Sequence, residues 1–215
     1  MIIDTHIHES KYSSDSKMTL EEVIEQAKKI GLDGICITDH DNDFIREEAK
    51  EVAKKMNFTV IVGAEILTHE GDVLVFGMDK LPDKKIHAWE LTDMVHEKGG
   101  IAISAHPFRN NNRGLGENIR RTKYLNAIET FNGSTLPHHN LQGFTLAVEL
   151  GIPSVGASDA HIIDKIGTYA TRFLTDIKDE KDFIQAIKDG NFHPVMKTEE
   201  GFKDIDLYMG YNKKL

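Results

Sequence analysis

Histidine and carboxylate residues recur in this chain of 215 residues in five short clusters. They read Asp4-Thr5-His6-Ile7-His8, Thr38-Asp39-His40-Asp41, Gly63-Ala64-Glu65, Ser104-Ala105-His106-Pro107 and Ser158-Asp159-Ala160-His161. Imidazole and carboxylate are the side chains that bind borderline divalent metals. Side chains two apart on a strand share a face, so His6 and His8 can converge on one ion, and Asp159 and His161 repeat the arrangement. A carboxylate can bridge two ions and an imidazole cannot, so the mixed set suits a polynuclear centre. Glu65 ends an apolar run, where an unpaired carboxylate is costly. The chemistry such a centre supports is hydrolysis, with a metal-bridged water losing its proton near neutral pH and attacking phosphorus or a carbonyl. Arg109, three residues past His106, is the best-placed cation for a phosphate oxygen, with Arg113 second and a surface role the alternative. Asp159 or His161 can serve as general acid or base if metal does not occupy it. His138 and His139 fit either a substrate contact or an exposed loop, and Glu129 can face either side of its strand.

Short apolar runs alternate with amphipathic helices along the chain. Strands are expected at residues 2–5, 34–38, 59–63, 101–105, 127–131 and 154–157, with Tyr169–Phe173 the last. Thr19 and Glu22 form a capping box that opens a helix to about Ile30, closed by Gly31. Further helices are expected at 44–56, 89–98, near 117–124, at 141–150 and over Glu180–Asp189. Residues 66–68 and 73–77 flank Glu70-Gly71 and read as a hairpin or a strand extension. This alternation implies parallel βαβ units, and their number in a chain this short points to a compact barrel rather than a doubly wound sheet. No G-x-G-x-x-G or P-loop motif follows a strand. In such a barrel the five clusters fall at the C-terminal strand ends, where active sites form.

Bulk properties narrow the partners. The net charge of −9 argues against general nucleic-acid binding, whereas small anionic substrates remain compatible if bound cations reverse the local field. No apolar run approaches the roughly 20 residues of a membrane span, and Asp4, His6 and His8 interrupt any signal peptide at the N-terminus. The single cysteine, Cys36, lies in an apolar run and reads as a core residue, which fits a reducing, cytoplasmic setting.

Taken in order, H-x-H, T-D-H, G-x-E, A-H-P and S-D-A-H resemble the PHP (polymerase and histidinol phosphatase) domain family over roughly residues 1–195, leaving 196–215 as a C-terminal tail. The resemblance implies a single-domain α/β protein, a distorted (β/α)7 barrel, with two or three divalent ions (zinc, manganese or iron). It also implies a phosphatase or phosphoesterase acting on a small phosphorylated substrate. By position, His6, His8, Glu65 and Asp159 would hold one ion. Glu65 would bridge to a second ion held by His106, and Asp15, His40 and His161 would hold a third. Many relatives complete the second ion with a histidine after the G-x-E strand. Here that segment reads Glu70-Gly71-Asp72-Val73-Leu74, and Asp72 is the only candidate ligand on its face. Two alternatives stand beside phosphoester hydrolysis. One is an amidohydrolase-like enzyme cleaving C–N bonds or esters. The other is a non-catalytic, metal-stabilised accessory module, which the nearly intact ligand set disfavours. The oligomeric state stays open.

Overall fold

The computed structural model describes residues 1–205, which form a single α/β domain. Seven strands match the expected positions to within a residue or two: β1 (Ile2–Ile7), β2 (Gly34–Ile37), β3 (Thr59–Val62), β6 (Ile101–Ser104), β7 (Ala127–Asn132), β8 (Ser154–Ala157) and β9 (Tyr169–Phe173). Between β3 and β6 lie β4 (Ala64–Leu67) and β5 (Asp72–Phe76), which pair antiparallel as the expected hairpin. After β9 come β10 (Phe192–Thr198) and β11 (Gly201–Asp204). The helices are α1 (Leu20–Ile30), α2 (Arg46–Met56), α3 (Ala88–Glu97), α4 (Pro137–Leu150) and α5 (Glu180–Asp189).

Helix α1 carries the full capping box, with Thr19 accepting from the Glu22 amide at 3.3 Å and Glu22 accepting from the Thr19 amide at 2.9 Å. Helix α2 starts two residues later than expected, because the Asn42 side chain accepts from the Phe44 amide and holds the preceding segment as a turn. The helix expected near 117–124 is one short 3₁₀ segment, Gly116–Arg121.

The closed parallel barrel is not what the ladders form. Strands divide into a six-stranded sheet, β11-β10-β9-β1-β2-β3, and a five-stranded sheet, β4-β5-β6-β7-β8. Among the described residues, the ladders that pair parallel are β1–β2–β3 and β6–β7–β8. The β4–β5–β6 and β1–β9–β10–β11 pairings are antiparallel. The physical reason lies in the connections. A single residue, Gly63, joins β3 to β4, and a tight turn joins β4 to β5, so no crossover helix fits at either place. Single bridges, Ile7 with Ala160 and His40 with Glu65, link the two sheets near the strand ends. The expected domain limit at residue 195 falls inside β10, which continues through β11.

One apolar cluster draws Ile3, Cys36, Ile61, Leu74, Ile103 and Val155 from strands of both sheets and packs them against Phe173 and Phe183. Burying side chains of this size contributes about 1.5–3 kcal/mol each. Above this layer, two bulges change which residues face inward. In β1, three steps from Asp4 to Ile7 match two steps from Ile35 to Ile37 on β2. Ile3 therefore points into the shared core while His6 and His8, of opposite parity, point into the site above it. In β7 the same irregularity lies between Glu129 and Phe131, so that Glu129 and Asn132 both turn into the site.

Asp4 ties the base of this arrangement together. Fully buried, it accepts from the backbone amides of Ser158 and Gly167, each at 2.9 Å, and from that of His6 at 3.4 Å. Burial pushes its carboxyl up to about 6 against the pull of those bonds. Removing the acceptor orphans buried amides at ~1–3 kcal/mol per group. Asp4→Ala should therefore lower unfolding stability by roughly 2–4 kcal/mol in urea denaturation, with Asp4→Asn intermediate. Equal stability of all three forms would show that Asp4 is not a structural tie.

Candidate metal centre

The five clusters meet at one place. Glu65, at the start of β4, stands at the middle with its carboxylate 1% exposed. One of its oxygens lies 2.9 Å from His106 Nε2, and the other lies 2.8 Å from His40 Nδ1, 3.4 Å from His8 Nε2 and 3.6 Å from His6 Nε2. Asp159 closes the opposite side, its Oδ1 lying 3.5 Å from His8 Nε2 and 3.6 Å from both His6 Nε2 and His161 Nδ1. Three sets of donor atoms lie within 4.8 Å of one another: His6, His8 and Asp159; Glu65, Asp72 and His106; His8, His40 and His161. Asp15 adds an oxygen 3.0 Å from His40 Nε2 and 3.2 Å from His161 Nε2.

This donor chemistry suits divalent ions. The Nε2 atoms of His6 and His8 lie 2.9 Å apart. Ligands ~2.0–2.1 Å from a tetrahedral ion stand roughly 3.3 Å from one another, so the two imidazoles are close to the spacing one ion needs. The fields also fit. Burial alone would discharge His6, but Asp159, Glu129 and Glu65 hold its pKa well above the usual histidine range. His40, for which burial again works downward, is raised to about 9 by Glu65 and Asp15. His8 goes to about 4, because burial outweighs its carboxylate neighbours. Burial would raise Glu65 and Asp159, yet the surrounding imidazoles keep both well below the usual carboxylate range. Carboxylates that hold protons on imidazoles this way attract a cation equally well, and metal binding would release those protons.

Backbone strain positions two of the donors. His106 (φ 25°) and Asp159 (φ 50°) take left-handed conformations rare for non-glycine residues, each two residues past its strand. Such conformations cost of order 1–3 kcal/mol and persist where surroundings fix them. The His106 amide donates to Glu129 Oε2 at 2.7 Å, and the Asp159 amide donates to the His6 carbonyl at 2.8 Å.

The remaining expected residues divide. Arg109 donates through Nη2 to Asn132 Oδ1 at 2.7 Å and to Asp159, and through Nε to Thr135 at 3.0 Å. Asp72 is fully buried beside Glu65 and His106, and its two oxygens accept from Arg113 at 2.6 and 3.0 Å. Burial and the Glu65 charge push its carboxyl up to about 6. His138 is not brought to the cluster. It sits exposed on the first turn of α4, its ring 4.0 Å from that of His139, in a groove with Arg120 and Glu149.

Of the supports, sequence reasoning left the face of Glu129 open and missed Asn132. Glu129 accepts from His6 Nδ1 at 2.9 Å and from Asn132 Nδ2 at 2.9 Å, and Asn132 also donates to Asp159 at 3.2 Å. A carboxylate on the far nitrogen of a ligating histidine fixes its tautomer and strengthens its basicity. Glu129→Gln should therefore weaken metal affinity about 10–100-fold in a chelator competition. An unchanged affinity would show that Glu129 does not orient His6.

Comparison with known proteins identifies relatives of this chain. The sequence profile of the PHP domain matches residues 4–131, and a profile described as PHP-associated matches residues 137–192. An uncharacterized protein of Methanocaldococcus jannaschii is 32% identical over 142 residues, 61% of this chain and 82% of that protein. A phosphoribosyl 1,2-cyclic phosphate 1,2-diphosphodiesterase of Eggerthella lenta is 31% identical over 70 residues, 33% of this chain and 26% of that enzyme. Among solved structures, a two-domain protein of Bacteroides vulgatus containing a predicted PHP-like metal-dependent phosphoesterase superposes with a TM-score of 0.71 at 18% identity, over 100% of this chain and 69% of that one. With four of the five metal-type clusters inside or at the start of a PHP match that spans more than half of its length, this chain belongs to the PHP domain family.

Proposed function

We propose that this protein is a metal-dependent phosphoesterase that hydrolyses a small phosphorylated substrate with two or three divalent ions drawn from zinc, manganese and iron. The observation that carries this reading is the Glu65 carboxylate. Its two oxygens face different histidines, His106 on one side and His6, His8 and His40 on the other, as a bridging ligand requires. His6, His8, Glu65 and Asp159 would hold the first ion, Glu65 and His106 the second, and Asp15, His40 and His161 the third. Bound ions supply a Lewis acid that lowers the pKa of water and neutralises charge developing on phosphoryl oxygens. A diphosphodiesterase among the relatives supports the phosphoester class over C–N hydrolysis.

The chain's own residues divide the remaining work. His6, His8, Glu65 and Asp159 are at most 1% exposed, which excludes bulk water from one side of the centre. His40 and His161 are about a quarter exposed and Asp15 about half, so substrate enters over these three. Arg109 uses Nε and Nη2 to grip Asp159, Asn132 and Thr135, and among the described residues its Nη1 has no protein partner. That edge is free to donate to a phosphoryl oxygen. His161 Nε2, held 3.2 Å from Asp15, would donate a proton to the leaving oxygen if no third ion were bound there; with a third ion it would serve as a ligand instead.

Treatment with a chelator should abolish hydrolysis in a screen of phosphomonoesters, nucleotides and cyclic phosphates, and added zinc, manganese or iron should restore it. Hydrolysis of esters or amides alone would reject the phosphoester reading. His106→Ala should cost about 10²–10³-fold in kcat, the scale of losing one charge-stabilising group, while thermal unfolding shifts by only a few degrees. A variant that unfolds instead would mark His106 as a packing residue.

A further inference from the structure

The segment that follows His106 is locked to the β4–β5 hairpin. The Asp72 amide donates to the Arg113 carbonyl at 2.6 Å, while Arg113 Nε and Nη2 donate to Asp72 Oδ2 and Oδ1 at 2.6 and 3.0 Å. Backbone and side chain of the two residues thus clasp each other at three points. Two glycines make the approach possible. A Cβ on Gly71 (φ 150°) would stand 2.5 Å from the Gly114 carbonyl carbon, and a Cβ on Gly114 would stand 2.3 Å from the Pro107 oxygen. No larger residue fits either place without moving the backbone that carries Arg113.

This clasp bears on what Asp72 does. Both of its oxygens are taken by a planar guanidinium in two-pronged geometry, the strongest form of carboxylate pairing. An ion sharing Asp72 would face a like charge across the same carboxylate. Arg113 Nη2 also lies 3.3 Å from His40 Nδ1, and among the described residues Nη1 has no protein partner. The guanidinium therefore stands beside His40, and Asp72, which it grips, lies 3.7 Å from His106 Nε2; one donor edge of the guanidinium stays open.

We propose that Asp72 is a positioning residue rather than a metal ligand: it fixes Arg113 as a permanent cation beside the second-ion position, and Arg113 Nη1 binds a phosphoryl oxygen of the substrate. The proposal rests on the phosphoester reading for its substrate and on the clasp for its geometry. Arg109 and Arg113, each anchored on a carboxylate of the cluster, would then present open Nη1 edges to the same phosphoryl group.

Metal content by elemental analysis and calorimetric titration with orthophosphate separate the two roles. Asp72→Asn and Arg113→Met should each keep the wild-type number of ions per chain while weakening orthophosphate binding by about tenfold, the loss of one charge-assisted contact. Gly114→Ala, which touches no charge, should weaken it in the same direction. Where hydrolysis is measured, all three should raise KM more than they lower kcat. Loss of one ion per chain in Asp72→Asn, with ions retained in Arg113→Met, would overturn the proposal and return Asp72 to the ligand set. Orthophosphate binding that is absent in the wild type, or unchanged in all three variants, would also overturn it. Absence of phosphoester turnover in the wild type would instead reject the function proposed above and leave the metal count to decide the role of Asp72.

Discussion

Glu65 sets the condition that the rest of the site meets. A carboxylate 1% exposed is costly unless opposite charge and hydrogen-bonding partners surround it. Here they come as four histidines from three separate strand ends: His6 and His8 at the end of β1, His40 past β2 and His106 past β6. Removing any one leaves the others facing an undercompensated anion. The centre is therefore a mutual arrangement, and its imidazoles are held where divalent ions would take over the role of their protons.

That arrangement depends on irregularities in otherwise regular strands. The bulge in β1 lets one strand supply Ile3 to the apolar core and His6 and His8 to the site. The bulge in β7 lets Glu129 brace His6 and His106 while Asn132 holds Arg109 and Asp159. The left-handed turns at His106 and Asp159 complete the inward set. A polar layer of this kind is stable because nearly every member is paired. Among the described residues, the unpartnered Nδ1 of His106 is one of few exceptions.

How much of this could be read from the sequence follows from the range of each interaction. Strand-end donors were legible because H-x-H and D-x-H spacings carry their geometry within two residues. The α1 capping box and the β4–β5 hairpin are equally local. The division into two sheets was not legible, since it follows from Gly63 leaving no room for a crossover. Strands β10 and β11 lie beyond Tyr169–Phe173, the last strand expected, because Pro194 breaks the strand signal of β10, although it pairs there with Thr171 of β9. Glu129 sits mid-strand, and only the bulge beyond it fixes its face. The Asp72–Arg113 clasp joins residues 41 apart in sequence, and nothing in either neighbourhood announces it. The signal that could have pointed to it is the pair Gly71 and Gly114, whose meaning appears only once the two segments touch.

The central claim is that Glu65 bridges a polynuclear centre. A crystal structure of the protein purified with its native metals, with anomalous scattering recorded at the zinc, manganese and iron edges, tests it most directly. The account predicts at least two ions about 4 Å apart, one on each side of the Glu65 carboxylate, with His106 on the second and His6 and His8 on the first. A single ion, or Glu65 bound to none, would contradict it.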